Sequence, residues 1–181
     1  MENQNSPFQA GASTGLILGI ISVVFTFLLY FIDPELMVKW YVGLGIFAVF
    51  ITLIIYFGIQ YRNSIGGYMN FGTAFNYVFA AFAVSGFIGV IGQALLFFVV
   101  DPALPKVLAD AQMEAQMAML DRLGAGDAMS SDQIDEMQAS MTANYTFLGL
   151  LKVYGFSLIG YAIVSLILGA ILKKRDKSLD Y

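Results

Sequence analysis

Residues 75–100 read FNYVFAAFAVSGFIGVIGQALLFFVV, 26 residues without one charge. Wound as a helix at 1.5 Å per residue, the run extends about 39 Å, more than the ~30 Å hydrocarbon layer of a bilayer, so it crosses with tilt or protrusion. Asp101-Pro102 ends it, because proline disfavours helix in the residue before it. Three further runs of the same character lie at 13–32, 40–60 and 147–172. With 59% of the 181 residues hydrophobic and only 12% charged, no soluble core accounts for all four. The expected fold is an all-α membrane protein, a single domain over 1–181 built on a four-helix transmembrane bundle.

The ends of the runs carry the expected boundary signals. The segment before the first, MENQNSPFQAGA, has no Lys or Arg and so lacks the positive region of a cleavable signal peptide. The first run therefore reads as a mature span, stopped at Asp33-Pro34. Trp40 and Tyr41 at one end of the second, and Tyr61 and Arg62 at the other, are interface anchors. Gly66-Gly67 marks the turn into the third.

Lys173, Lys174, Arg175 and Lys177 form the densest positive cluster, which the positive-inside rule places in the cytoplasm as a basic tail over 173–181. Four crossings then put both termini and Arg62 on that side. The connection 101–145, with eight acids from Asp101 to Glu136, falls outside. Lys152 sits about 31 Å back from Lys173 along the fourth helix, at the far edge of the hydrocarbon, where its amine snorkels.

Missing residue types narrow the chemistry. The chain has no Cys and no His, which removes thiolate and imidazole catalysis and the usual zinc and haem ligands. The acidic run lacks calcium-loop spacing, and paired carboxylates alone do not make a glycosidase. No catalytic residue, cofactor or metal site is expected. A net charge of -4 without a clustered basic face argues against nucleic acid, leaving the lipid bilayer as the first partner.

Within the spans, small residues recur at helical spacing. Gly11, Gly15 and Gly19, continued by Ser22 and Thr26, form a seam for close helix packing, and Ser85, Gly89 and Gln93 form a similar stripe on the third span. Gln93 is the strongest polar side chain at membrane depth. Ser157, Tyr161 and Ser165 of the fourth span are its expected hydrogen-bond partners. Gly86, Gly89 and Gly92 allow a broken helix of the transporter kind, but no carboxylate lies inside a span to couple an ion.

The long connection reads as two amphipathic helices folded into an extracytoplasmic hairpin. The first follows Pro102 and Pro105, presents Met113, Met117 and Leu120, and ends at Gly124-Ala125-Gly126. The second starts at a Ser130–Gln133 capping box, presents Ile134, Met137 and Met141, and runs on toward the fourth span. Six of the nine methionines fall in this connection. Thioether clusters bind copper(I), but their spacing equally suits an adaptable apolar surface for a protein partner, which is the reading adopted.

These parts in this order, SPFQAGASTGLILGI into the first span, GGYMNFGTAF into the third, the helical connection and the KKR tail, carry a resemblance over nearly the whole chain. The sequence resembles the four-span membrane proteins of Bacteroidota grouped as domain of unknown function 4199. The resemblance implies a bacterial inner-membrane location and transfers no site residue. The expected role is a non-catalytic scaffold or accessory subunit, in contact with a membrane protein or a second copy of itself. The alternative is a small solute transporter or channel acting as an oligomer.

Overall fold

A computed structural model describes residues 6–124 and 129–175. Helix α1 spans Pro7–Ile32, α2 Trp40–Ser64, α3 Phe71–Leu95, α4 Leu104–Arg122, α5 Ser131–Asn144 and α6 Phe147–Leu172. A short 3-10 turn, Pro34–Val38, joins α1 to α2, and the last turn of the third span, Leu96–Val100, is wound wide as a π-helix.

Three spans differ from the expected ranges, each for a capping reason. α1 begins at Pro7 rather than 13, because Ser6 and Gln9 exchange side-chain and backbone hydrogen bonds in a capping box and Pro7 fits the first helical position. α2 runs one turn past 60 to Ser64, before Gly66 and Gly67 turn the chain at φ +100° and +85°. α3 starts at Phe71 rather than 75, with the Asn70 carboxamide accepting from Thr73 N at 2.8 Å. α6 matches 147–172.

The second hairpin helix does not run into the fourth span. Thr146 stops it, donating to Ala143 O at 2.7 Å and accepting from Gly149 N at 3.1 Å, which caps α6. A Cβ at Gly149 would collide with the Ala143 carbonyl, so the sharp corner depends on glycine there. The Ala125–Gly126 part of the expected turn and Lys177 lie outside the described residues. Gly124, at φ +69°, does end α4 as a left-handed cap.

The spans do not form a symmetric square. α3 lies at the centre, with α1 packed parallel along one side and α6 antiparallel along the other; α2 touches each of them only in short patches. Around α3 gather Leu18, Ile54, Ala74, Tyr77, Val78, Ala81 and Leu168. Only Ile54 and Gly58 of α2 are buried.

Both ends of the bundle are tied. At the tail end, Met69 and Lys174 exchange backbone hydrogen bonds of 3.0 and 2.8 Å, and Arg62 donates to the terminal carbonyl of Leu172 at 3.1 Å. Arg62, Lys173, Lys174 and Arg175 therefore share one end. At the hairpin end, the Asp101 carboxylate accepts from Ala103 N at 3.0 Å, Leu104 N at 3.2 Å and the Tyr30 hydroxyl at 3.3 Å. One side chain thus joins the end of the third span, the start of α4 and the end of α1. Leu96, Phe97, Leu104, Leu108 and Leu150 fill the space beneath it.

Candidate functional site

The glycines of α1 meet α3 directly. A Cβ at Gly11 would collide with the Tyr77 carbonyl, one at Gly15 would lie 2.7 Å from the Ala81 carbonyl, and one at Gly19 2.6 Å from the Ile88 Cβ. Further along, α3 supplies the small residues: a Cβ added at Gly89 would lie 3.3 Å from the Ser22 hydroxyl, and one at Gly92 would lie 2.5 Å from a Val23 methyl. The register advances in the same direction on both helices, so the seam is a parallel one whose small residue passes from α1 to α3. Thr14 and Tyr77 close it with a buried hydroxyl–hydroxyl bond of 2.8 Å.

Gln93 is half-buried near the hairpin end of α3, and its expected partners are engaged elsewhere. Ser157 donates to Tyr154 O at 2.7 Å and Ser165 to Tyr161 O at 2.6 Å, both within α6. Hydroxyls bond back to the preceding turn because that carbonyl is always within reach, whereas an interhelical bond needs two helices in register. Among the described residues no hydrogen bond joins Gln93 to either serine or to Tyr161. Gln93→Leu is therefore expected to change stability by less than about 0.5 kcal/mol, measured as the melting temperature in detergent; a large loss would show an amide role that this geometry lacks. Ser85, also on the predicted stripe, bonds to Phe82 O at 3.1 Å. Lys152 lies on the exposed surface of α6.

The methionine stripe faces inward, which corrects its reading as a partner surface. Met113 and Met141 are buried with Ala109, and Met117, Ile134, Met137 and Tyr145 pack around them between α4 and α5. Leu120 is half-buried on the same helix face. Two amphipathic helices in water bury their apolar stripes against each other first, so the hairpin consumes the surface it was expected to offer. Its exposed surface carries the carboxylates Asp132, Asp135 and Glu136 of α5, with Met119 and Leu123 exposed at the far end of α4. Tyr145 fastens its base, donating to Gln112 Oε1 at 3.1 Å, and burial pushes its phenol above the ordinary value.

Two chambers flank the first half of α2, and neither is foreshadowed by a sequence motif. The outer one, about 500 Å³, lies between the start of α2 and α4, lined by Lys39, Trp40, Tyr41, Gln112, Glu114 and Gln116 among others. The inner one, about 260 Å³, is lined by Gly43, Ile46, Phe47 and Phe50 of α2 against Phe82, Ser85 and Tyr161. A Cβ at Gly43 would meet no atom within 4 Å, so α2 stands off the bundle here. An unbroken apolar helix does not reveal which face lacks a neighbour. The only advance signal was Trp40-Tyr41, read as an interface anchor.

Four helices long and apolar enough to cross a bilayer, packed around α3, define a multi-pass membrane protein. The chain belongs to the family described as protein of unknown function (DUF4199), whose model matches residues 13–174, from the first span through the hairpin to the start of the tail. Neither a curated protein nor a solved structure matches it.

Proposed function

We propose that the protein is a non-catalytic scaffold or accessory subunit of a bacterial inner membrane, with the basic end in the cytoplasm and the acidic hairpin outside. The observation that carries this reading is that the buried hydroxyls of the bundle interior are matched. Thr14, Ser85 and Ser165, its buried polar side chains among the described residues, each bond to a neighbour within the bundle. An interior whose hydroxyls are already matched offers a solute no succession of free groups to replace its hydration shell. The gathering of Arg62, Lys173, Lys174 and Arg175 at one end supports the orientation.

Since the methionine stripe is internal, the partner surface moves to the carboxylates of α5. The hairpin that carries that surface is rooted on the spans at Asp101 and Leu104. Gentle solubilisation is expected to recover a stoichiometric complex that is lost when Asp132, Asp135 and Glu136 are all changed to Lys, with the melting temperature unchanged. Solute flux through liposomes carrying only the purified protein would instead favour the oligomeric transporter.

A further inference from the structure

The two chambers beside α2 lie on one helix face. Lys39 and Trp40 border the outer one, and Gly43, Phe47 and Phe50 border the inner one at the three- and four-residue spacing of a single stripe. From Lys39 to Phe50 the helix rises about 16 Å, close to half of a ~30 Å hydrocarbon layer. Trp40, 75% exposed, and Tyr41 set the outer chamber at headgroup level, where amphipathic rings settle. The stripe therefore runs from the membrane interface to about its midplane, the reach of one lipid leaflet.

The lining changes character along that path. Outside, Glu35 and Lys39 pair at 3.8 Å and Glu114 has no ionic partner among the described residues. Two carboxylates and one ammonium make a rim that repels an anionic headgroup, yet offers a carboxylate for a donor cation and an ammonium for a phosphate. Inside, Phe47, Phe50 and Phe82 form apolar walls. Nothing of the protein fills the space next to Gly43, and in a bilayer the adjoining medium is hydrocarbon.

We propose that this stripe binds one zwitterionic phospholipid with a primary ammonium headgroup, the phosphoethanolamine group beside Glu114 and Lys39 and an acyl chain along Gly43, Phe47 and Phe50. A primary ammonium donates hydrogen bonds to Glu114; a choline headgroup, fully methylated, does not.

The test is native mass spectrometry of the full chain released from vesicles of equal parts phosphatidylethanolamine, phosphatidylcholine and phosphatidylglycerol, all with the same acyl chains. One retained phosphatidylethanolamine per chain is expected, enriched about tenfold over the other two, as one charge-assisted hydrogen bond provides. Gly43→Phe adds a ring to the wall of the inner chamber, at a position where an added Cβ meets no atom within 4 Å, and should abolish retention of all three lipids while leaving the melting temperature unchanged. Glu114→Gln, on an exposed face, should keep a bound lipid but lose the preference over phosphatidylcholine. Equal retention of the three lipids, preference for phosphatidylglycerol, or enrichment that survives both substitutions would overturn the proposal.

Discussion

Gly15→Leu is expected to lower stability by about 3 kcal/mol or more, at the upper end of what overpacking a filled interior costs. The Cβ alone would stand 2.7 Å from the Ala81 carbonyl, 2.8 Å from the Val84 Cβ and 3.2 Å from the Ala81 Cα. Two of those three atoms are backbone, which no rotamer change moves aside, so the helices themselves must part. Parting them also opens the contacts at Gly11 and Gly19 and stretches the 2.8 Å bond between Thr14 and Tyr77. Interhelical hydrogen bonds in membranes average only about 0.6 kcal/mol, so most of the loss comes from packing. Gly43→Leu is the matched control, since an added Cβ there meets no atom within 4 Å. Thermal unfolding in mild detergent should separate the two variants widely, and equal melting temperatures would show that the α1–α3 seam is not what holds the bundle.

The second large effect is expected at Asp101. Its carboxylate accepts from two backbone N–H groups in the turn that enters α4 and from Tyr30 of α1, so Asp101→Ala removes the brace of that turn and an interhelical tie together. Losing the acceptor of those two N–H groups costs about 1 kcal/mol, and the Tyr30 hydroxyl loses its partner as well. The damage should be local. Hydrogen exchange is expected to speed up in the first turn of α4 and the adjoining end of α1, while the Met69–Lys174 end stays protected. Asp101→Asn keeps an acceptor oxygen and should recover part of the protection. Faster exchange throughout the chain, or none at α4, would contradict this role.

The contrast between these two residues shows how far the sequence could be read. Length and apolarity alone locate the four spans, because the bilayer demands a long uncharged helix wherever the chain crosses. The spacing of Gly11, Gly15 and Gly19 marks a seam for the same reason that it packs, since only small residues let backbones meet. Which helix lies opposite is not legible: α1 is apolar all round, and nothing local to it points to α3 rather than to its neighbour α2. Asp101 reads only as a stop signal, because its partners at 30, 103 and 104 converge through the fold. The cap at Ser6–Gln9 extends α1 outside the stretch that hydropathy selects.

The hairpin illustrates a different limit. Met113, Met117, Ile134, Met137 and Met141 lie on apolar faces in the sequence and in the fold alike. Periodicity identifies a face without naming what covers it, and each helix finds its cover in the other. The same limit hid the chambers beside α2, where Lys39, Trp40, Gly43 and Glu114 meet across a long separation in sequence. Gln93 marks the opposite case, a conspicuous polar residue whose expected partners are satisfied by the helix they belong to.

The central feature of the architecture is direct packing of the parallel helices α1 and α3, which closes the bundle interior and displaces α2 to its edge. The chain contains no cysteine, so a pair can be introduced without altering any native thiol. With Gly89 3.3 Å from the Ser22 hydroxyl as judged at an added Cβ, the double substitution Ser22→Cys and Gly89→Cys should cross-link readily under mild oxidation in native membranes. Ser22→Cys with Gly45→Cys, where an added Cβ meets nothing within 4 Å, should not. Efficient cross-linking of the second pair with failure of the first would place α2 rather than α3 against α1 and contradict the closed bundle.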